Sequence, residues 1–148
     1  MKIQDLLKII NRPVITIGPE ETVAAAAKKL AQFDRGSIPV CNEKSELVGI
    51  ITERDIVRKC FTRGESLDRI RVQDIMSQQV AVGIPEDDLD YAVSVMKQKR
   101  VRHLPILEDQ RVIGLVSMRD LLAVQLGEAE AKVRYAGLLS RRPQRPVV

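Results

Sequence analysis

The sequence contains no tryptophan, two phenylalanines, two tyrosines, two cysteines and a single histidine among its 148 residues. Each shortage excludes something. So few aromatic side chains make a platform for stacking single-stranded bases hard to build. One histidine, with cysteines at positions 41 and 60 rather than at C-x-x-C spacing, argues against a zinc or dithiol redox site. In a reducing compartment both thiols are expected to be simply buried. No apolar run approaches the roughly 18 residues of a membrane span. Met1-Lys2-Ile3-Gln4-Asp5 lacks signal-peptide architecture, so a cytoplasmic protein without membrane contact is the default expectation. A nucleophile with its base, a Walker loop and paired acids outside capping positions are also missing, and no enzyme activity is expected.

The formal net charge of +4 and a pI near 9.3 invite a nucleic-acid reading. From Glu128 onward, however, Lys132, Arg134, Arg141, Arg142 and Arg145 face only Glu128 and Glu130. The tail therefore carries three of the four net charges, the body is nearly neutral, and nucleic acid becomes the minor reading.

What the chain does contain is a repeat. Leu47-Val48-Gly49-Ile50-Ile51-Thr52-Glu53-Arg54-Asp55 and Val112-Ile113-Gly114-Leu115-Val116-Ser117-Met118-Arg119-Asp120 match at an offset of 65. Upstream, Ile38-Pro39-Val40 maps onto Leu104-Pro105-Ile106 at 66, and Ile3-Gln4-Asp5-Leu6-Leu7 onto Val72-Gln73-Asp74-Ile75-Met76 at 69. A drifting offset with matched landmarks marks a duplication whose loops differ in length. Each unit, about sixty residues, is near the lower limit for a core of its own, so the halves should pack on each other. The expected units are 1–61 and 72–127, joined by a linker over 62–71 and followed by an extension and basic tail over 128–148.

Each copy reads as a leader helix, a strand, a helix, two strands and a second helix. In the first copy these are residues 2–9, Val14–Ile17, Thr22–Phe33, Ser37–Cys41, Glu46–Ile51 and Glu53 to about Phe61. In the second they are Val72–Met76, Val80–Gly83, Asp87–Lys99, Arg102–Leu107, Arg111–Val116 and Met118 onward, the last running through Leu126 toward Leu139. Ser140–Val148 is expected to be disordered. Pro39 and Pro105 cannot donate to a ladder, which places their strands at an edge or bulge. Gly49 and Gly114 suit close approach by another backbone or a ligand.

The strand-to-helix junctions carry the chemistry. Thr52 and Ser117 stand at the N-cap, and Asp55 and Asp120 three residues on can reach back, a capping box with Asp in place of Glu. A helix start whose N–H groups point outward is also an anion site. Lys97-Gln98-Lys99-Arg100-Val101-Arg102-His103 aligns with Ala31-Gln32-Phe33-Asp34-Arg35-Gly36-Ser37, so the second copy is far more basic there. Lys97, Lys99 and Arg100 read as a solvated helix end complementing the dipole. Arg102 and His103 stand immediately before the Leu104-Pro105 pair.

With its paired Gly-x-x-Thr/Ser-x-x-Asp junctions, apolar-Pro-apolar strands and Asp-x-Leu/Met leaders, the chain resembles the tandem cystathionine-β-synthase (CBS) domain pair, or Bateman module, over about residues 3–126. The resemblance implies an α/β (α+β) fold of two β-α-β-β-α modules, packed through their sheets with pseudo-two-fold symmetry around two clefts. It implies an adenosine-containing ligand: AMP, ADP or ATP, with S-adenosylmethionine as a variant. Asp55 and Asp120 would hold ribose hydroxyls, and Thr52, Ser117, Arg54 and Arg119 the ribose or phosphate. Arg102 and His103 would meet phosphate. The residues about each proline (Ser37, Ile38, Pro39; Leu104, Pro105), with Arg12 to Val14 and Gln78, Gln79 and Val80, would wall the adenine, read by backbone groups that the prolines leave unpaired. It also implies a disc-shaped homodimer through helical faces at Ala24–Ala27 and Leu89–Met96, and a protein partner that receives the signal. The alternative is an interaction scaffold with degenerate pockets.

Overall fold

In each half a run of aliphatic and β-branched residues crosses a polar turn and returns, and the two runs pair. The computed structural model describes residues 1–127 and 131–137. Its hairpins are β1 (Ser37–Cys41) on β2 (Leu47–Thr52) and β3 (His103–Glu108) on β4 (Arg111–Ser117), both antiparallel, with bulges after Val40 and Ile106. The helices are α1 (Ile3–Ile10), α2 (Val23–Gln32), α3 (Glu53–Asp55), α4 (Val72–Ile75), α5 (Leu89–Lys99) and α6 (Met118–Leu126). Thr22 caps α2 by accepting from the Ala25 N–H at 3.1 Å, and Val23, Ala26 and Leu30 form its buried face.

Two cores result, and the leaders are exchanged between them. Ile3 and Leu6 of α1 join Leu89, Ala92, Met96, Leu104, Ile106, Val116 and Leu121 in the second core. Val72 and Ile75 of α4 join Ile17, Val23, Ile38, Val40, Ile51 and their neighbours in the first. Matching backbone bonds pin each leader in place: Ile3 N–H to Asp87 O (2.9 Å) and Gln4 N–H to Pro85 O (3.0 Å), against Val72 N–H to Glu21 O (2.8 Å) and Gln73 N–H to Pro19 O (3.0 Å). Neither half can complete its core alone, which is how two undersized units become one body. The connecting segment takes part, because Ile70 is buried in the first core and the carbonyls of Leu67 and Ile70 accept from the start of α2.

The expected outer strands Val14–Ile17 and Val80–Gly83 do not form. Each is reduced to a single parallel bridge, Ile17 to Val40 and Gly83 to Ile106. The prolines explain the interruption. Ile17 N–H donates to Pro39 O (3.1 Å) and Cys41 N–H to Ile17 O (2.9 Å). Extending that ladder to Ile15 would require a donor from Pro39, which has none. Pro105 stops Ala81 in the same way beyond Gly83. Among the described residues, neither Ile15 nor Ala81 has a backbone partner.

Other expectations are corrected. The segment after Thr52 is not one α-helix: a single α turn widens into a π segment over Ile56–Cys60 and tightens to a 3-10 turn at Phe61–Arg63. β-branched Ile56 and Val57 weaken the α preference there, and the wide turn keeps Ile56 and Cys60 both in the core. α6 stops at Leu126 instead of running toward Leu139, because Gly127 leaves the helix at φ 75°. Residue 139 and the tail 140–148 lie outside the described residues. Of the helical faces expected to be intermolecular, Ala26, Leu89, Ala92 and Met96 are core residues, Ala24, Ala25, Ala27, Val93 and Val95 are half-buried, and Asp90, Tyr91 and Ser94 are exposed. Both cysteines are buried free thiols, with burial pushing their pKa values up.

Candidate functional site

Both junctions form the capping box that their spacing implies. Asp55 N–H donates to Thr52 Oγ1 (3.0 Å) and Thr52 N–H to Asp55 Oδ2 (3.0 Å). At the second junction the same pair of bonds joins Asp120 and Ser117, at 3.1 and 2.8 Å. The outward N–H groups are fewer than expected, because Glu53 N–H donates to Gly36 O and Met118 N–H to Arg102 O. Of the first three amides of each helix, only those of Arg54 and Arg119 are left for a ligand.

Each junction opens onto a cleft. The first, about 970 Å³, is bounded by Ser117, Arg119 and the outer face of α6 on one side and by Arg12, Arg35 and Ser37 on the other. A smaller hollow of about 60 Å³ extends its floor beneath Arg12, Val14, Ile15 and Ser37 against Gly114 and Leu115. The second, about 330 Å³, is bounded by Thr52, Arg54 and Asp55 opposite Gln79, Val80 and Ala81. Gly36, Glu53, Arg102 and His103 border both. The two clefts therefore meet along one seam, where His103 lies over Gly36 so closely that a β-carbon on that glycine would stand 3.1 Å from its ring.

The sequence-derived site residues are thus mostly brought together. Arg12, Val14, Ser37, Ser117 and Arg119 fall in the first cleft, Thr52, Arg54, Asp55, Gln79 and Val80 in the second, and Arg102 and His103 between them. Ile38 and Leu104 belong instead to the cores, and Pro39 and Pro105 are buried in their strands rather than exposed to a cleft. Arg100, read as solvated, borders the second cleft, having left α5 in the left-handed region at φ 56°. Arg35, which the sequence pattern does not mark as a site residue, lines the first cleft. It is the first copy's one basic residue where the second has several, and its Nε is buried without a partner beside Ser37 Oγ, also buried and unpartnered.

The two acids differ in their surroundings. Asp55 lines its cleft and touches Lys59 of the following π segment at 3.2 Å. Asp120 is covered: Arg12 donates from Nη1 to Oδ1 at 2.9 Å and from Nη2 to Oδ2 at 2.6 Å, and Nη2 also reaches Leu115 O at 3.3 Å. Burial works to raise the Asp120 pKa, but the bonds from Arg12 and Ser117 outweigh it and hold the carboxyl below its ordinary value. Burial also lowers the His103 pKa, with Arg102 and Arg12 adding to the effect and Asp120 opposing it, so the ring favours the neutral form.

Comparison with known proteins agrees with this geometry. The family model described as the CBS domain matches twice, over residues 3–61 and 72–127. A protein of Methanopyrus kandleri is 40% identical over 119 residues, covering 80% of this chain, and the chain spans 61% of that relative's length. The crystal structure of the CBS domain protein NE2398 superposes with a TM-score of 0.80 at 35% identity, covering 86% of this chain and 98% of that one. The CBS domain pair of MJ0100, solved with 5′-methylthioadenosine and S-adenosyl-L-methionine, superposes at 0.75 with 25% identity, covering 84% of this chain and 95% of that one. The duplicated junctions, the exchanged leaders and the paired clefts therefore make this chain a member of the CBS domain family, a tandem pair of CBS modules.

Proposed function

We propose that the chain is a regulatory sensor that binds an adenosine-containing ligand, with AMP, ADP or ATP as the leading candidates, in the clefts between its modules. The observation that carries this reading is the unsatisfied polar floor of the first cleft. Ser37 Oγ and Arg35 Nε are buried without partners, and the peptide groups of Ile15 lack backbone partners beside them. Buried polar atoms left unpaired each cost about 1–3 kcal/mol, so such a cluster in one hollow is best explained by a ligand that completes it. A planar base with donors and acceptors on its edge suits those groups. Asp55 and Asp120 suit a ribose diol, and Arg35, Arg102 and Arg119 suit phosphate. S-adenosylmethionine is the variant suggested by the MJ0100 complex.

The output is a change in shape passed to a protein partner, driven by a ligand that binds the closed state more tightly. A homodimer fits this role. Exposed Val57 and Phe61, one turn apart, recur as exposed Leu122 and Leu126 at the repeat offset of 65, so the molecule carries one apolar stripe twice about its own pseudo-two-fold. A second copy related by two-fold symmetry can cover both.

Thermal unfolding in the presence of adenosine, AMP, ADP, ATP and S-adenosylmethionine tests the sensor. A ligand at 100 times its dissociation constant adds about 2.7 kcal/mol, which raises Tm by roughly 5–10 °C for a chain of this size. No shift with any of them would leave the scaffold reading in its place.

A further inference from the structure

The clefts are built on equivalent junctions but are not equally open. A carboxylate offers about four lone-pair directions, and a ribose diol needs two of them. Asp55 gives one to Thr52 N–H and faces one cation, Lys59, which does not border the cleft. Two directions remain for a diol. Asp120 gives one to Ser117 N–H and two to Arg12, so one remains, and Arg12 stands between the carboxylate and the first cleft. At the position matching Arg12 the second copy has Gln78, which carries no charge and makes no comparable bond to Asp55 among the described residues.

Freeing Asp120 means detaching a guanidinium whose side chain is only 36% exposed, in a cleft where Arg35, Arg102 and Arg119 already outnumber Asp34 and Glu53. An uncharged nucleoside offers Arg12 only neutral acceptors, weaker than the carboxylate it would leave. A phosphate offers a bidentate acceptor that matches the guanidinium fork.

We infer that Arg12 is a latch on Asp120 released by an anionic group, so that the first cleft takes a phosphorylated nucleoside and rejects an uncharged one, whereas the second takes either. The inference rests on the sensor reading above and deepens it by assigning different ligand classes to the two clefts. It also makes Arg12, which comes from the leader of the first copy, the residue that sets selectivity at the junction of the second.

Titration calorimetry of the full chain, with adenosine and AMP as probes, tests it. The wild type should bind one adenosine and two AMP per chain. Asp55→Asn should lose the adenosine and keep one AMP. Arg12→Gln, which gives the first cleft the side chain of its counterpart, should gain a second adenosine. If Arg12→Gln does not fold by circular dichroism, Arg12→Lys serves, since a single ammonium contact frees one direction on Asp120 and should also admit a second adenosine. Two adenosines on the wild type, or one on the folded Arg12 variant, would overturn the latch. Absence of binding by either probe to every form would instead overturn the sensor reading along with it.

Discussion

Gly49→Ala tests how the second copy's leader is held. A β-carbon at Gly49 would stand 2.6 Å from Met76 Sδ, 2.9 Å from Met76 Cγ and 3.0 Å from Ser77 O. The methionine can swing aside, but the Ser77 carbonyl cannot. Ser77 exchanges both backbone bonds with Ile50, at 3.0 and 2.9 Å, and this bridge places the following residues against the second cleft. Overpacking of this kind costs about 1–3 kcal/mol. Loss of glycine's freedom in the unfolded chain returns about 0.4–1 kcal/mol. The net destabilisation of about 1–2 kcal/mol should lower Tm by roughly 2–8 °C.

Gly114→Ala is the internal control. The three atoms nearest its β-carbon would all belong to the Leu7 side chain, Cδ2 first at 2.6 Å, and the end of a leucine can rotate. Differential scanning calorimetry of both variants should therefore find Gly49→Ala clearly the less stable. Nucleotide affinity at the second cleft should fall with it, because Gln79 and Val80 follow the displaced Ser77. Equal losses in the two variants, or a neutral Gly49→Ala, would refute the argument that a rigid backbone contact on β2 seats the leader.

Two further outcomes follow from the structure. Because burial lowers the His103 pKa, the unfolded chain binds this proton more readily, so stability is full above about pH 6.5 and falls as pH drops toward the folded value. Urea midpoints measured at pH 7.5 and 5.5 should differ in the wild type and converge in His103→Gln, and the same drop in both would remove His103 as the cause. Phe61→Glu with Leu126→Glu places charge on both exposed apolar stripes, so light scattering should find the wild type dimeric and the double variant monomeric, while an unchanged mass would place the interface elsewhere.

The capping boxes, the hairpins and the duplication itself were legible because each rests on contacts within a few residues or on a period repeated along the chain. Thr52 with Asp55 and Ser117 with Asp120 are three apart, and their bonds follow from that spacing alone. Pro39 and Pro105 announced an interrupted ladder, although how short the outer pairing becomes depends on which neighbour lies alongside. Tertiary structure decided the remainder. The exchange of leaders arises because each half lacks apolar surface that the other supplies, and no local pattern states which core Ile3 or Val72 will enter. Arg12 and Asp120 are 108 residues apart, so only the packing of the first leader beside the second junction turns two ordinary surface charges into a pair. Arg35 came to line a cleft in the same way: its place in the chain reads as a helix end, and the meeting of two modules buries its Nε in the cleft floor.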